Sequence, residues 1–96
     1  MNVKAYLAIT MQVPTGKRQQ AADVYIKYRQ PFLDTIPGAL TKQLLIRDQD
    51  VCVLHGFDSV EHAQAYLKSD LFKNHVFVGL RPTWSADPDV RIYEVK

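Results

Sequence analysis

Residues 3–13 alternate between apolar side chains at the odd positions and polar, aromatic or small side chains at the even positions. An alternation with period two over this length is typical of a β-strand with one buried face. Residues 39–47 and 51–57 also favour strands, and the polar residues 48–50 predict a hairpin between them. The alternation of residues 90–95 predicts a fourth strand.

A helical repeat follows the first strand. Residues 17–30 carry apolar side chains three and four apart, which is typical of a helix that packs on a sheet. Thr15 is the expected N-cap, and Pro31 is expected to kink the helix or to end it, with room for one further turn beyond. Pro37-Gly38 then predicts a turn. The apolar stripe consists of Ala21, Val24, Tyr25, Tyr28 and Phe32.

A second helix is predicted after the third strand. Asp58 is its expected N-cap, and together with Glu61 it resembles a capping box. Residues 71–78 predict a further short helix, and Gly79 is expected to end it, because glycine is common just beyond a helix. The buried stripe of the second helix is expected to consist of Val60, Ala63, Tyr66 and Leu67.

The predicted order is strand, helix, strand, strand, helix, strand. This order favours an α+β, ferredoxin-like βαββαβ fold with four antiparallel strands and both helices on one face. Apolar side chains also lie on the second face, and packing against an identical sheet would cover them. We therefore expect a homodimer that forms an α+β barrel. The second-face side chains are those of Tyr6, Ala8, Leu45, Cys52 and Leu54.

Composition places this chain among small folded domains. Its 96 residues, 47% of them hydrophobic, indicate one domain spanning residues 1–96. The net charge of +2 is spread along the chain, so we expect no nucleic-acid partner. The single cysteine, Cys52, excludes an intrachain disulfide. Neither a signal peptide nor an apolar run of membrane-spanning length is apparent, so we expect a cytoplasmic protein that does not enter a membrane.

Residues 57–72, with the sequence FDSVEHAQAYLKSDLF, resemble the second-helix signature of antibiotic biosynthesis monooxygenase-like proteins. Ile36-Pro37-Gly38 also suits that family, and with the element order the resemblance covers nearly the whole chain. It implies a dimeric α+β barrel with a pocket in each subunit between sheet and helices. Members of the family include oxygenases that use no metal or flavin, which act on phenolic or quinone-like substrates, and haem-degrading enzymes.

The haem-degrading branch of the family is similar to this chain only in part. That branch carries Trp-x-x-Ser-x-x-Phe followed by a histidine, and Tyr66 stands here at the tryptophan position. His75 follows Phe72 by three residues, where the branch tends to have four. The pocket asparagine of the first strand is absent, since the nearest asparagine is Asn2. Haem degradation is therefore disfavoured.

His75 and Tyr66 are the candidate catalytic residues. Imidazole side chains titrate near neutral pH, which suits them to move a proton or to orient a phenolate. His75 lies on the short apolar helix predicted over residues 71–78. The same spacing is compatible with a surface histidine near a helix end.

Four further side chains are candidates for binding substrate. Tyr6 and Thr10 lie among apolar neighbours on the second face of the first strand, where they either line a small-ligand pocket or pair across the dimer. Trp84 either stacks on a planar ligand or anchors the proline-rich segment around it. The four candidates are Tyr6, Thr10, Phe72 and Trp84.

The spacing of the remaining histidines predicts no metal site, and the distribution of glycines predicts no cofactor site. His55 is expected on a strand face shared with Val53, where a structural role with a hydrogen-bond partner is the simpler interpretation. His62 lies on the second helix, seven residues from His55, and no carboxylate has the spacing to join His75 around one ion. The chain has no glycine-rich phosphate loop.

Three functions are compatible with these observations. The first is a cofactor-independent monooxygenase that acts on a small aromatic or quinone-type substrate. The second is a non-catalytic dimeric protein of the same fold that binds a small aromatic or apolar molecule. The third, less favoured, is a haem-binding or haem-degrading protein.

Overall fold

The computed structural model of the protein describes residues 2–96. The predicted α+β class and the predicted element order are both confirmed. A π-helical turn (Leu71–Val76) precedes the third α-helix, and short 3-10 turns occupy Thr15–Lys17 and Arg81–Thr83. The regular elements are β1 (Ala5–Met11), α1 (Arg18–Thr35), β2 (Ala39–Ile46), β3 (Val51–Phe57), α2 (Val60–Leu67), α3 (Phe77–Leu80) and β4 (Asp89–Glu94).

The four strands form one antiparallel sheet in the order β2-β3-β1-β4. In β1 the odd-numbered side chains are buried and the even-numbered ones are half-buried, as the alternation predicts. The odd-numbered side chains pack with apolar residues of all three α-helices in one core. The helices therefore cover one face of the sheet, and the hydrophobic effect of this burial stabilises the domain.

The other face of the sheet, here called the open face, bears no helix within residues 2–96. Its side chains form continuous rows across the strands, because Ala8 lies opposite Leu54, and Thr10 opposite Cys52. Leu45 of β2 extends the second row, since it also lies opposite Cys52. The apolar side chains predicted for the second face thus form one contiguous patch.

Helix α1 continues through Pro31 to Thr35, so the proline does not end the helix and the further turn predicted beyond it is present. Proline inside a helix removes a hydrogen bond and costs about 3 kcal/mol. Phe32, the next residue, is fully buried and packs edge-on against Phe57 and Tyr66. Burial of this ring favours the helical path and offsets the cost of the proline.

The predicted caps of both long helices are also corrected. Thr15 lies in a 3-10 turn and its side chain caps nothing, because α1 begins only after Lys17. At α2 the cap is Ser59 rather than Asp58, and its hydroxyl accepts from the backbone N–H of His62. Asp58 instead contacts the ring of His62, with 2.5 Å between Oδ1 and Nδ1.

Two glycines serve close packing. Gly38 has a φ of 79° in the turn before β2, and a Cβ there would come 2.4 Å from the Asp58 carboxylate. Gly79 does not end a helix as predicted but lies inside α3. A Cβ at Gly79 would lie 3.2 Å from both methyl groups of Val24, so the glycine allows α3 to approach α1 closely.

Candidate functional site

Three buried polar side chains surround Phe32 beneath the helices. They are Lys42 on β2, His55 on β3 and Tyr66 on α2, here called the interior polar cluster. The Phe32 ring lies 5.0 Å from the Lys42 ammonium, and its centroid lies 5.3 Å from that of His55 and 4.9 Å from that of Tyr66. Fully buried polar side chains require an explanation, because burial without partners costs free energy.

Lys42 is only 2% exposed, and its Nζ has no hydrogen-bond partner within residues 2–96. It points inward because it follows the same alternation in β2 as Leu44, and it lies opposite His55 of β3. Burial, aided by the nearby positive charge of Arg29, lowers the pKa of the Lys42 ammonium to about 8.

His55 is 1% exposed, and its Nδ1 lies 3.0 Å from the backbone carbonyl oxygen of Leu7. Burial first, and the charge of Lys42 second, lower its pKa to about 3, so the ring is neutral at physiological pH. Because a carbonyl only accepts, Nδ1 carries the proton and Nε2 is left as an acceptor. The expected partner of a buried His55 is thus identified.

Tyr66 is 1% exposed, and its hydroxyl has no partner among the described residues. Burial raises its pKa, so the hydroxyl keeps its proton and remains a hydrogen-bond donor. Its ring centroid lies 5.4 Å from that of His55 and 5.3 Å from that of Phe72. Two predicted site residues, Tyr66 and Phe72, are therefore in contact.

A small cavity adjoins the cluster between the sheet and helices α1 and α3. Its volume is about 10 Å³, which is the space of about one water molecule. Lys42, His55 and Tyr25 supply its polar side chains, and the Tyr25 hydroxyl donates to the backbone carbonyl of Lys42 over 2.9 Å. The apolar wall consists of Ile9, Val24, Val53, Val76 and Leu80.

The predicted catalytic residue His75 lies outside this cluster. Its side chain is 49% exposed, and its Nε2 lies 3.4 Å from a carboxylate oxygen of Asp70. Its ring centroid is 6.0 Å from that of Tyr28 on α1. His75 is thus a half-exposed side chain on the π-helical turn, at a helix surface rather than in the core.

The other predicted residues lie in two further places. Trp84 donates from Nε1 to the sulfur of Met11 over 2.9 Å and packs on Phe77, an arrangement that anchors its loop. Tyr6 and Thr10 lie on the open face, on the opposite side of the sheet from Tyr66. One chain therefore does not bring all the predicted residues into one pocket, and their functional roles stay predictions.

Lys42 was not among the site residues predicted from the sequence, although its position in β2 indicates a buried charge. It occupies the same parity as Leu44 and Ile46 in β2, so a charged side chain stands at a position that the strand pattern assigns to the core. Such a misplaced charge is a sequence-level indication of a site.

Within residues 2–96 no three histidine, cysteine or acidic side chains lie close enough together to hold a metal ion. No helix in the same part of the chain is both long and apolar enough to cross a membrane.

Comparisons with known proteins give matches in structure. No family model matches the sequence. The curated proteins likewise contain no match. A Caulobacter crescentus protein, provisionally named an antibiotic biosynthesis monooxygenase, superimposes with a TM-score of 0.83 at 18% identity, over 98% of this chain and 91% of that one.

Two solved structures with bound ligands share the same architecture. A monooxygenase of Streptomyces coelicolor, in complex with nanaomycin D, has a TM-score of 0.81 at 12% identity, covering 98% of this chain and 88% of that one. A heme degrader of Mycobacterium tuberculosis, with two hemes in its active site, has a TM-score of 0.74 at 19% identity, covering 95% and 94%. The chain therefore has the ferredoxin-like fold of the antibiotic biosynthesis monooxygenases, as its sequence resemblance implies.

Proposed function

We propose that this protein is a cofactor-independent monooxygenase that oxidises a small aromatic, phenol-type substrate beside the interior polar cluster. The observation that carries the proposal is the pair of fully buried polar atoms without partners, Lys42 Nζ and the Tyr66 hydroxyl. Natural proteins retain such atoms at sites where a ligand or a reaction uses them. The shared fold with a monooxygenase bound to nanaomycin D supports oxygenation as the reaction.

The proposed reaction needs no bound metal or flavin. A phenolate passes one electron to oxygen, and the resulting radicals combine at a ring carbon to form a peroxide. Loss of the proton from that ring carbon, with cleavage of the O–O bond, releases one water and leaves a quinone. Each phenol therefore takes up one oxygen molecule, gains one oxygen atom and loses two hydrogens. The protein orients the substrate and excludes bulk water, and the protonated Tyr66 hydroxyl donates to the departing oxygen.

Substrate access requires a movement, because the cavity holds only about one water molecule. Val76 and Leu80 form part of its wall, and both belong to the segment that begins with the π-helical turn. π-Helical turns occur frequently at functional sites. We propose that this segment shifts outward to admit the substrate.

Oxygen uptake in the presence of hydroquinones and polyphenols tests the proposed activity. We expect turnover by the natural protein and a loss of at least about tenfold in kcat for Tyr66→Phe, which removes only the hydroxyl. Tyr93→Phe is the control for removing a tyrosine hydroxyl, because Tyr93 lies opposite Tyr6 on the open face, away from the interior polar cluster. His75→Ala tests the predicted proton shuttle. No uptake with any substrate would contradict the oxygenase proposal, and full activity of Tyr66→Phe would contradict the role of Tyr66.

The open face supports a homodimer as the working form. Its contiguous apolar rows would be covered by a second copy, and stable interfaces bury about 1,200–2,000 Å² in total. We expect a dimer in sedimentation equilibrium at micromolar concentration and a monomer for Leu54→Asp, because Leu54 lies in the middle of the face. Ile26→Asp, at an exposed position on α1, should remain dimeric. A monomeric natural protein would contradict the barrel.

Ligand binding without catalysis is the second candidate, since the same buried polar atoms would recognise a ligand without transforming it. Thermal-shift screening with the phenols used for oxygen uptake separates the two candidates. Stabilisation without oxygen uptake would favour the binding protein.

A further inference from the structure

The interior polar cluster carries positive charge that the protein does not balance. Lys42 is fully buried, and Arg29 lies near enough to lower its pKa. The Arg29 Nε donates to the Lys42 backbone carbonyl over 3.2 Å, but Arg29 itself is exposed, so the buried charge is that of Lys42. Among residues 2–96, neither Lys42 nor Arg29 takes part in an ion pair.

A water molecule in the adjoining cavity would satisfy one N–H of Lys42, but it would not balance the charge. A buried, uncompensated cation is costly, because the low-dielectric interior solvates it poorly. An anion in the cavity would both accept the hydrogen bond and compensate the charge. Apart from Lys42, His55 and Tyr25 the cavity wall is aliphatic, so the same ligand needs an apolar body.

We propose that Lys42 is an anion-binding residue and that the site selects a small aromatic monoanion over its neutral counterpart. The anionic oxygen contacts Nζ of Lys42, and the ring lies against the aliphatic wall formed by residues such as Val24 and Leu80. This inference rests on the interior site of the proposed function. It specifies that the ligand is an anion, and the anionic group is a carboxylate, an enolate or a phenolate.

Binding of an unreactive pair of ligands tests the inference separately from catalysis. Calorimetry with the full chain compares naphthoate with the naphthamide of the same ring position, which has the same shape without the charge. We expect naphthoate to bind roughly 10- to 100-fold more tightly, as for a charged hydrogen bond in place of a neutral one. Lys42→Met should abolish this preference, whereas Lys68→Met, at an exposed lysine on the end of α2, should retain it.

A second variant distinguishes charge from hydrogen bonding. Lys42→Gln keeps N–H donors but removes the charge, so it should lose the preference for naphthoate nearly as completely as Lys42→Met. If the glutamine variant binds naphthoate like the natural protein, hydrogen bonding alone explains recognition, and the inference is overturned.

The affinity for naphthoate should also depend on pH. The titratable or charged side chains around Lys42 are Arg29 and Tyr25 of α1, His55 of β3 and Tyr66 of α2. Because binding needs the protonated ammonium, affinity should fall with rising pH once the pH exceeds about 8. The Lys42→Met variant should lack this decline.

The outcomes separate this inference from the oxygenase proposal. A preference for naphthoate that depends on Lys42, without oxygen uptake from phenols, supports the anion site and contradicts the oxygenase. Equal binding of naphthoate and naphthamide, or binding of neither, overturns the anion site, and oxygen uptake then decides the oxygenase by itself.

Discussion

The Lys42→Met variant should be more stable than the natural protein at pH 7, by about 3 kcal/mol. Burial lowers the pKa of the Lys42 ammonium from 10.5 to about 8, and each pKa unit corresponds to about 1.4 kcal/mol. Methionine has a similar length and shape but no charge to desolvate. In a domain of this size the thermal midpoint should rise by more than about 10 °C.

The sign of the pH dependence follows from the two pKa values of Lys42. Between about pH 8 and pH 10.5 the unfolded chain binds a proton that the folded chain does not, so the natural protein gains stability as the pH rises. Below about pH 8 the full penalty is present, and above 10.5 it disappears. The advantage of Lys42→Met should therefore shrink across this range.

Urea unfolding of both proteins at pH 7 and at pH 10 measures the effect. Lys68→Met serves as the control for removing a lysine from the surface and should leave the free energy of unfolding nearly unchanged. A Lys42→Met variant that is less stable than the natural protein at pH 7 would show that the ammonium has a partner in solution. If the Lys42→Met variant is more stable but no longer prefers naphthoate, Lys42 serves ligand binding at a cost in stability.

The natural protein should lose stability in mild acid, with about 2 kcal/mol of the loss between pH 7 and pH 5 arising from His55. Burial lowers the pKa of His55 from 6.5 to about 3. Between pH 6.5 and about pH 3, His55 takes up a proton in the unfolded chain but not in the folded chain. Acid therefore favours the unfolded state, and this loss continues until about pH 3.

The His55→Phe variant isolates this contribution. It keeps a buried ring but leaves the Leu7 carbonyl without its side-chain partner, so we expect lower stability at pH 7 by about 1–3 kcal/mol. Between pH 7 and pH 5, however, the variant should lose about 2 kcal/mol less than the natural protein. His75→Phe, at an exposed histidine, is the matched control. Parallel stability curves for natural protein and His55→Phe would contradict a neutral, buried His55.

Lys42 weakens the domain at neutral pH, whereas His55 supports it at pH 7 and weakens it only in acid. Replacing Lys42 by an apolar residue is expected to stabilise the fold, and His55 makes it sensitive to acid. Polar residues that reduce stability without partners are typical of sites that selection retains for binding or catalysis. This is the physical link between the fold of these 96 residues and the proposed chemistry.

The hydrophobic pattern was sufficient to predict the strands, because a half-buried strand needs an apolar side chain at every second residue. It also placed His55 on the strand face shared with Val53, and the structure shows that both side chains are buried. It left open whether Pro31 ends α1 or is followed by a further turn, and the burial of Phe32 stabilises the continuous helix. It predicted that Gly79 ends a helix, whereas Gly79 lies inside α3 and allows α3 to approach α1 closely. This approach is a tertiary feature that the local pattern does not contain.

The sequence by itself determined the class of fold, the order of its elements and the apolar character of both sheet faces, all of which depend on residue period. Only the tertiary structure decided which polar groups meet. It placed Lys42, His55 and Tyr66 around one ring, although they come from three separate elements. It also set Lys42 opposite His55, because the bulge between Ala39 and Thr41 fixes the register of β2 against β3.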